Sequence, residues 1–565
     1  MCDRMAVMYL GRIVELCENS EIQWQRDDVA SKIVDFEQAK HKQSQRQFAI
    51  EQAVSRSTLR HWLARKESID ASPVLIEFLE SPVGTAFIHR ILTAAHFTFA
   101  KDGVASIHNV SNFLKLSGLS PFVASSYSSQ QRVSNKMDDT IIEFEEFVRP
   151  QLSQNMPAKK ISLAEDETFH PQICAVSMEP VSNFIIVEKY VENREAATWN
   201  KVVLEALKDL PVQVIQVASD EGRGLINHTI KGLNAHHSSD CFHVPHEIGK
   251  GTSGALASAV KKAEKEYESS VKQTQKQVSL QEKYDNQPKR PPGRRPDFDK
   301  KIELAKNKQD QAQSNLEIVR QNQQTVRQAK SEIGEVYHPF NTQTGAEQNS
   351  QKVSELLESC FANIKDATQD LSDRCKQRVD KAHRVVKNMV ATIAFFFSMV
   401  DLYMDNMQIS ARDRQLMHDY LIPGFYLKQV ARREKDAERK SQISQISQQL
   451  LSILTQQDGP FYEYSENDVK RLEKAAEQCA QIFQRSSSCV EGRNAQLSLR
   501  HHGIHKLSDR SLKAQTIVHN YYRRSRDGTT PAEGFFEAKH IDLFQWLLEK
   551  MDYPARPRKR LKIAS

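Results

Sequence analysis

Three sets of acidic side chains lie far apart along this 565-residue chain and could share one chemistry. They are the run Glu165-Asp166-Glu167, the single Asp220, and Glu491 within Ser488-Cys489-Val490-Glu491-Gly492-Arg493-Asn494. The first two follow short β-type stretches, whereas Glu491 falls where the pattern predicts a helix. Carboxylate oxygens are hard donors that leave room in a cation's shell for water and phosphate, so an all-carboxylate site suits Mg2+ or Mn2+. Two such ions, about 3.5–4 Å apart, would activate an attacking oxygen and stabilise the leaving 3′-oxygen of an in-line displacement on a nucleic-acid backbone. Strand alternation alone does not choose among Glu165, Asp166 and Glu167. Asp220 closes the apolar run 212–218, a poor place for a charge unless a cation meets it.

The elements that would hold these acids follow from the apolar periodicity. Continuous or alternating apolar runs predict strands over 161–169, 173–178 and 184–190, a helix over 193–210 carrying Trp199 in its core face, and a strand over 212–218. This order resembles that of an RNase H-like core, in which the first and fourth strands lie side by side. Strand ends in an open α/β sheet point into a common crevice. After residue 251 the strand signals stop. Charged, Gln-rich helices are expected over 255–284 and 299–335, joined by a Pro-rich tip at 287–296, with more helices over 351–405, 411–457 and 466–485. Such an insertion separates Glu491 from the other acids in sequence only.

Toward the N-terminus, residues 46–63 have the form of a helix-turn-helix. Phe48, Ala49 and Ile50 begin one helix, Val54 packs the turn, Ser55 caps the next, and Leu59, Trp62 and Leu63 give that helix an apolar face. Arg56, Ser57, Thr58, Arg60 and His61 are then expected to point outward toward phosphates and base edges of a major groove. Residues 72–150 predict a further helical stretch, and 109–120 within it a second helix-turn-helix. After Glu491, the residues Arg493, Asn494, Gln496, Arg500 and Lys506 are expected to line a DNA path or a solvated helix face.

Length predicts three or four domains. A net charge of +6 says less than its distribution: basic residues crowd 289–296 and 556–562, as phosphate contacts or as solvated tails. Eight cysteines without paired spacing fit a reducing interior. No signal peptide is read at the start, and the apolar run 389–400 is expected to be a buried core helix too short to cross a bilayer, in a soluble protein. Cys241, His243 and His246, like His501, His502 and His505, lack a four-ligand zinc spacing and are expected to be structural.

Taken together, Glu165-Asp166-Glu167-Thr168-Phe169, Ala218-Ser219-Asp220-Glu221-Gly222 and Cys489-Val490-Glu491-Gly492-Arg493-Asn494 resemble the acid contexts of the RNase H-like DDE transposases of bacterial insertion sequences, specifically those with an all-helical insertion before the last acid. The phrase Asp527-Gly528-Thr529-Thr530-Pro531-Ala532-Glu533 is similar to one near the end of many such enzymes. The resemblance implies Asp166, Asp220 and Glu491 as catalytic metal ligands for two Mg2+ or Mn2+ ions. It further implies DNA cleavage and strand transfer on the terminal repeats of a mobile element, by a homodimer or higher multimer on double-stranded DNA. It also implies no membrane partner and a cytoplasmic location, with the bacterial nucleoid. The fold expected is multidomain and mostly α with an α/β core. Its segments are a helix-turn-helix domain at 1–70, a second helical domain at 71–155, the first part of the core at 156–256, the helical insertion at 257–480 with its hairpin at 255–335, the last part of the core at 481–535, and a C-terminal helix and basic tail at 536–565. The alternative is a catalytically inactive, domesticated DNA-binding regulator.

Overall fold

The computed structural model describes the chain except residues 1–5, 10, 11, 18, 19, 67, 68, 170, 242, 289–292, 485, 486, 504–506, 526, 527 and 558–565; for the strand residues before 24 it describes backbone only. Three short strands open the chain, β1 (Ala6–Tyr9), β2 (Arg12–Cys17) and β3 (Ser20–Trp24), as an antiparallel meander that the sequence reading did not separate from the helical domain. Helices α1 (Arg26–Ala39), α2 (Gln45–Glu51) and α3 (Arg56–Lys66) follow, then α4 (Pro73–Leu79), α5 (Pro82–Ala95), α6 (Ile107–Leu116) and α7 (Tyr127–Asn155). Strands β4 (Lys159–Phe169), β5 (Ile173–Glu179) and β6 (Phe184–Val191) lead to α8 (Ala196–Leu207), β7 (Val212–Ser219), α9 (Arg223–Asn227) and β8 (His236–Ser239). The long helices α10 (His243–Asp285) and α11 (Phe298–Val336) come next. Then follow α12 (Ser350–Ala367), α13 (Asp373–Arg384), α14 (Val386–Asn406), α15 (Ala411–Leu416), α16 (Ile422–Arg433), α17 (Ala437–Leu451) and α18 (Glu466–Gln481). The chain closes with α19 (Ser488–Gly503), α20 (Asp509–Tyr521), α21 (Pro531–Phe536) and α22 (Leu543–Lys550).

The protein is mostly helical, with one five-stranded mixed sheet of order β6-β5-β4-β7-β8. Strands β5 and β6 pair antiparallel, Ala175 opposite Lys189, while β7 and β8 pair parallel, Val217 opposite His237. The four strands read from the sequence are present within two residues of their expected bounds. The fifth, β8, is four residues of His-His-Ser-Ser, too short and too polar to announce itself.

By packing, the chain divides into two compact units: Met1–Lys159, Asp166–Gln213 and Cys489–Ser565 form one, and Lys160–Glu165 with Val214–Ser488 the other. In the first unit, α1 to α3 enclose a small core of Val29, Ile33, Phe48, Leu59 and Trp62. Ser55 accepts a hydrogen bond from the Thr58 backbone N–H at 3.0 Å and so caps α3, while Val54 is buried in the turn. Ala53 in that turn has φ +51°, a left-handed conformation that strains a residue with a Cβ. A second small core, Leu79, Ile88, Leu92, Val110, Leu114, Phe122 and Val123, belongs to α4 through α6. Residues 109–120 hold one helix and its exit turn, with Gly118 at φ +72°, so the second helix-turn-helix expected there is absent.

In the second unit, α10 and α11 form the expected hairpin, but α10 starts at His243, twelve residues before the expected 255, because Val244, Ile248 and Leu256 continue one apolar face into the core of α11 to α18. The tip residues 289–292 lie outside the described residues. The run 389–400 belongs to α14, whose Met389, Ile393, Phe396, Val400 and Met404 face is buried in that core. Among the described residues, one helical stretch, Asp373–Asn406, which contains this run, is by length and composition alone long and apolar enough to cross a bilayer, and 33% of its apolar window is buried.

Trp62 is fully buried in the three-helix core. Trp62→Ala should therefore cost about 3–5 kcal/mol, and hydrogen exchange should show protection lost first in α2 and α3.

Candidate functional site

In the first unit the end of β4 and the helix α19 meet through side chains. Asn494 Nδ2 donates to Asp166 Oδ2 at 3.1 Å, and Asp166 Oδ1 accepts the backbone N–H of Glu167 at 2.8 Å. Glu491 stands three residues before Asn494 on the half-buried face of the same helix, about 4.5 Å along its axis. The pleat gives the three acids of 165–167 different partners. Glu165 is wholly buried and lies 3.5 Å from His228 Nε2, Glu167 accepts a hydrogen bond from Trp199 Nε1 at 3.3 Å, and the half-buried Asp166 between them points to the α19 side.

What holds α19 in place is a buried ion pair. Arg493 is 3% exposed, and its Nε and Nη2 donate to the two oxygens of Glu188 on β6 at 2.7 and 2.6 Å, a bidentate geometry. Thr516 Oγ1 on α20 lies 2.6 Å from the same carboxylate. Burial alone would raise the Glu188 pKa, but the Arg493 charge with the hydrogen bonds of Arg493 and Thr516 more than offsets it, and the pKa falls below the ordinary glutamate value. Arg500, two turns on, is 4% exposed and donates to the backbone carbonyls of Lys101 and Asp102. Burial, with the nearby Arg493 and Arg523 charges, lowers its pKa to about 10.

These positions correct the expected DNA path. Arg493 and Arg500 are internal anchors, neither solvated nor open to a phosphate, and Asn494 serves Asp166. Lys506 and His505 lie outside the described residues, while His501 is within 3.3 Å of the Tyr190 hydroxyl. On α3, Arg56, Ser57, Arg60 and His61 are exposed, whereas Thr58 is 7% exposed with its hydroxyl 2.8 Å from Ser55 Oγ, so it belongs to the cap and not to the outer face.

Asp220 belongs to the second unit. Its Oδ1 accepts the Gly222 backbone N–H at 2.8 Å, the tight turn by which the chain leaves β7, and a Cβ at Gly222 would meet that same oxygen at 2.8 Å. Next to it a polar network crosses β7 and β8. Ser219 Oγ lies 2.9 Å from His237 Nε2, Asn388 donates to Ser239 at 2.6 Å, and Ser239 donates to Glu221. Burial lowers the His237 pKa, partly countered by Glu221. The sequence reading missed Asp240, a 2%-exposed carboxylate directly after β8 that accepts from the Ser487 backbone N–H at 3.2 Å and from its hydroxyl. Only the spacing from the unrecognised β8 could have flagged it.

The Thr-Pro-Ala-Glu phrase has a structural task. Thr530 caps α21, accepting from Glu533 N at 3.2 Å, while Glu533 Oε2 accepts from Thr530 N at 2.9 Å, with Pro531 at the first helical position. Asp527, which opens the phrase, lies outside the described residues.

Residues 417–563 match a family described as a family of unknown function, DUF6399; the match takes in α19 with Glu491 and a minority of the chain. No curated protein matches the chain.

Removing one partner of a buried pair strands the other charge. Arg493→Ala should cost about 3–5 kcal/mol of stability, more than Arg493→Met combined with Glu188→Leu. Because the folded Glu188 pKa is depressed, its contribution is fully present above pH 4.5 and lost as pH falls from there through the lowered value. On acidification the urea midpoint of the wild type should fall relative to that of the double variant; parallel curves would refute this assignment.

Proposed function

We propose that the protein is a DNA transposase that cleaves and joins DNA by metal-dependent phosphoryl transfer, with Asp166, Asp220 and Glu491 as the metal-binding carboxylates. The observation that carries the reading is the Asn494 to Asp166 hydrogen bond, which sets the helix face bearing Glu491 against the end of β4 across 328 residues of sequence. Isolated surface acids have no need of such support. An all-carboxylate oxygen set fits Mg2+ or Mn2+, and two such ions would supply the activated oxygen and the charge neutralisation of an in-line displacement. Asn494 would orient Asp166 and keep its second oxygen in place. The exposed Arg56, Ser57, Arg60 and His61 on a capped helix support double-stranded DNA as the partner. The mobile-element ends as substrate, work as a homodimer or larger assembly, and a bacterial cytoplasmic setting complete the proposal.

Full-length protein, incubated with Mg2+ and duplex DNA copied from both flanks of its gene, should release new 3′-hydroxyl ends. Asp166→Ala, Asp220→Ala and Glu491→Ala should each reduce this by more than about 100-fold while gel-shift binding is kept, and Asn494→Ala by about 10- to 100-fold. Cleavage surviving in all three acid variants would exclude the proposed site. Binding without cleavage by the wild type would favour the inactive regulator.

A further inference from the structure

The first unit contains a cavity of about 910 Å³ beside the helix-turn-helix, with His61 and Arg65 of α3 on one wall and the C-terminal residues 551–557 on another. Its interior is cationic by construction. Arg26, 5% exposed, donates through Nη1 to the Phe122 and Pro554 carbonyls, both at 2.9 Å, and through Nη2 to Glu80 at 3.2 Å. Arg556 donates to the other oxygen of Glu80, so two guanidinium groups share one buried carboxylate. Among the described residues, the Nε atoms of Arg26 and Arg556 are buried without a hydrogen-bond partner. Both atoms are fully covered, so the two guanidinium groups lend the cavity wall positive charge and leave direct contact to the residues around them.

A second feature converges on the same space. The 29-residue helix α7 begins there, with Ser126 as its cap, Ser128 and Ser129 in its first turn and no acidic residue in that turn. Ser126 Oγ takes the Ser129 N–H at 3.3 Å, and the positive dipole end of the helix favours an anion beside it. One turn on, Arg132 and Lys136 add two exposed cations to the cavity wall, against Asp139 and Asp552. Burial, set against Glu80 and reinforced by Arg556 and Arg65, lowers the Arg26 pKa to about 10, which leaves the group charged at neutral pH.

We propose that this cavity is a phosphate-binding site next to the recognition helix. The phosphate is carried either by the DNA backbone beside the helix-turn-helix or by a small phosphorylated molecule. Only the first source rests on the DNA-binding reading above; the site itself needs neither metal nor the three acids. The chemistry is the same in both cases: Arg26 and Arg556 supply positive charge in the wall, α7 its N-terminal end and serine hydroxyls, and Arg132 with Lys136 the exposed cations that meet the phosphate.

The test compares full-length wild type with Arg132→Ala/Lys136→Ala, which trims exposed side chains and leaves Arg26 and Glu80 intact. Duplex DNA binding is measured between about 50 and 200 mM salt, and inorganic phosphate and AMP are titrated separately and followed by phosphorus NMR broadening. If DNA supplies the phosphate, the double variant loses affinity and its log–log salt slope shrinks by about 1.8, about 0.9 for each lost contact. If a small molecule supplies it, inorganic phosphate or AMP broadens with wild type and not with the variant, while DNA binding is unchanged. Equal behaviour of the two proteins in both arms overturns the proposal. Asp166→Ala should match wild type in each arm, so a failure of the catalytic reading leaves this result legible.

Discussion

The bidentate contact between Arg493 and Glu188 is the constraint on which the first unit's arrangement turns. It joins a helix near the end of the chain to a strand 305 residues earlier, inside a core where neither charge tolerates solitude. Every neighbouring residue of α19 inherits its azimuth from that lock. With Arg493 turned inward to β6, Asn494 reaches Asp166 at the end of β4, and two turns further Arg500 closes onto the carbonyls after α5. Asn520 adds to the same surface: its side chain both accepts from and donates to the backbone of Ile185, satisfying strand β6 from α20. Glu491, one turn before Asn494 on the same helix, shares the placement that this lock gives α19.

Local chemistry explains why some of this is readable from the chain. Strands β4 to β7 are long apolar runs whose alternation leaves no competing interpretation, and their bounds follow. The helical hairpin is legible from its length and the proline-rich tip, and the cap of α3 from Ser55. Trp199, buried in α8 as its apolar face requires, is legible for the same reason.

Long-range pairing is what stays hidden. A basic residue on a helix looks the same whether it meets a phosphate or a buried glutamate, so Arg493 and Arg500 resemble DNA contacts until Glu188 and the Lys101 carbonyl are seen beside them. Thr58 reads as a surface polar group because its partner, Ser55, is already assigned to the cap. Four residues of His-His-Ser-Ser carry no β signal of their own, and β8 exists because β7 and α14 offer its side chains partners such as Gln216 and Asn388. With β8 invisible, Asp240 looks like one more loop acid.

The strap at residues 553–557 bears on how the molecule is made. Arg26 donates to the Pro554 carbonyl across 528 residues, His89 stacks on Tyr553, and Ala124 donates its backbone N–H to Ala555. During synthesis the N-terminal helices leave the ribosome long before these partners exist. Arg26 must therefore wait, solvated or provisionally paired, through most of translation. The final fastening of the N-terminal helices to their neighbours is then a late event with a loop-closure cost, and a nascent chain stalled before residue 553 would carry α3 without that fastening.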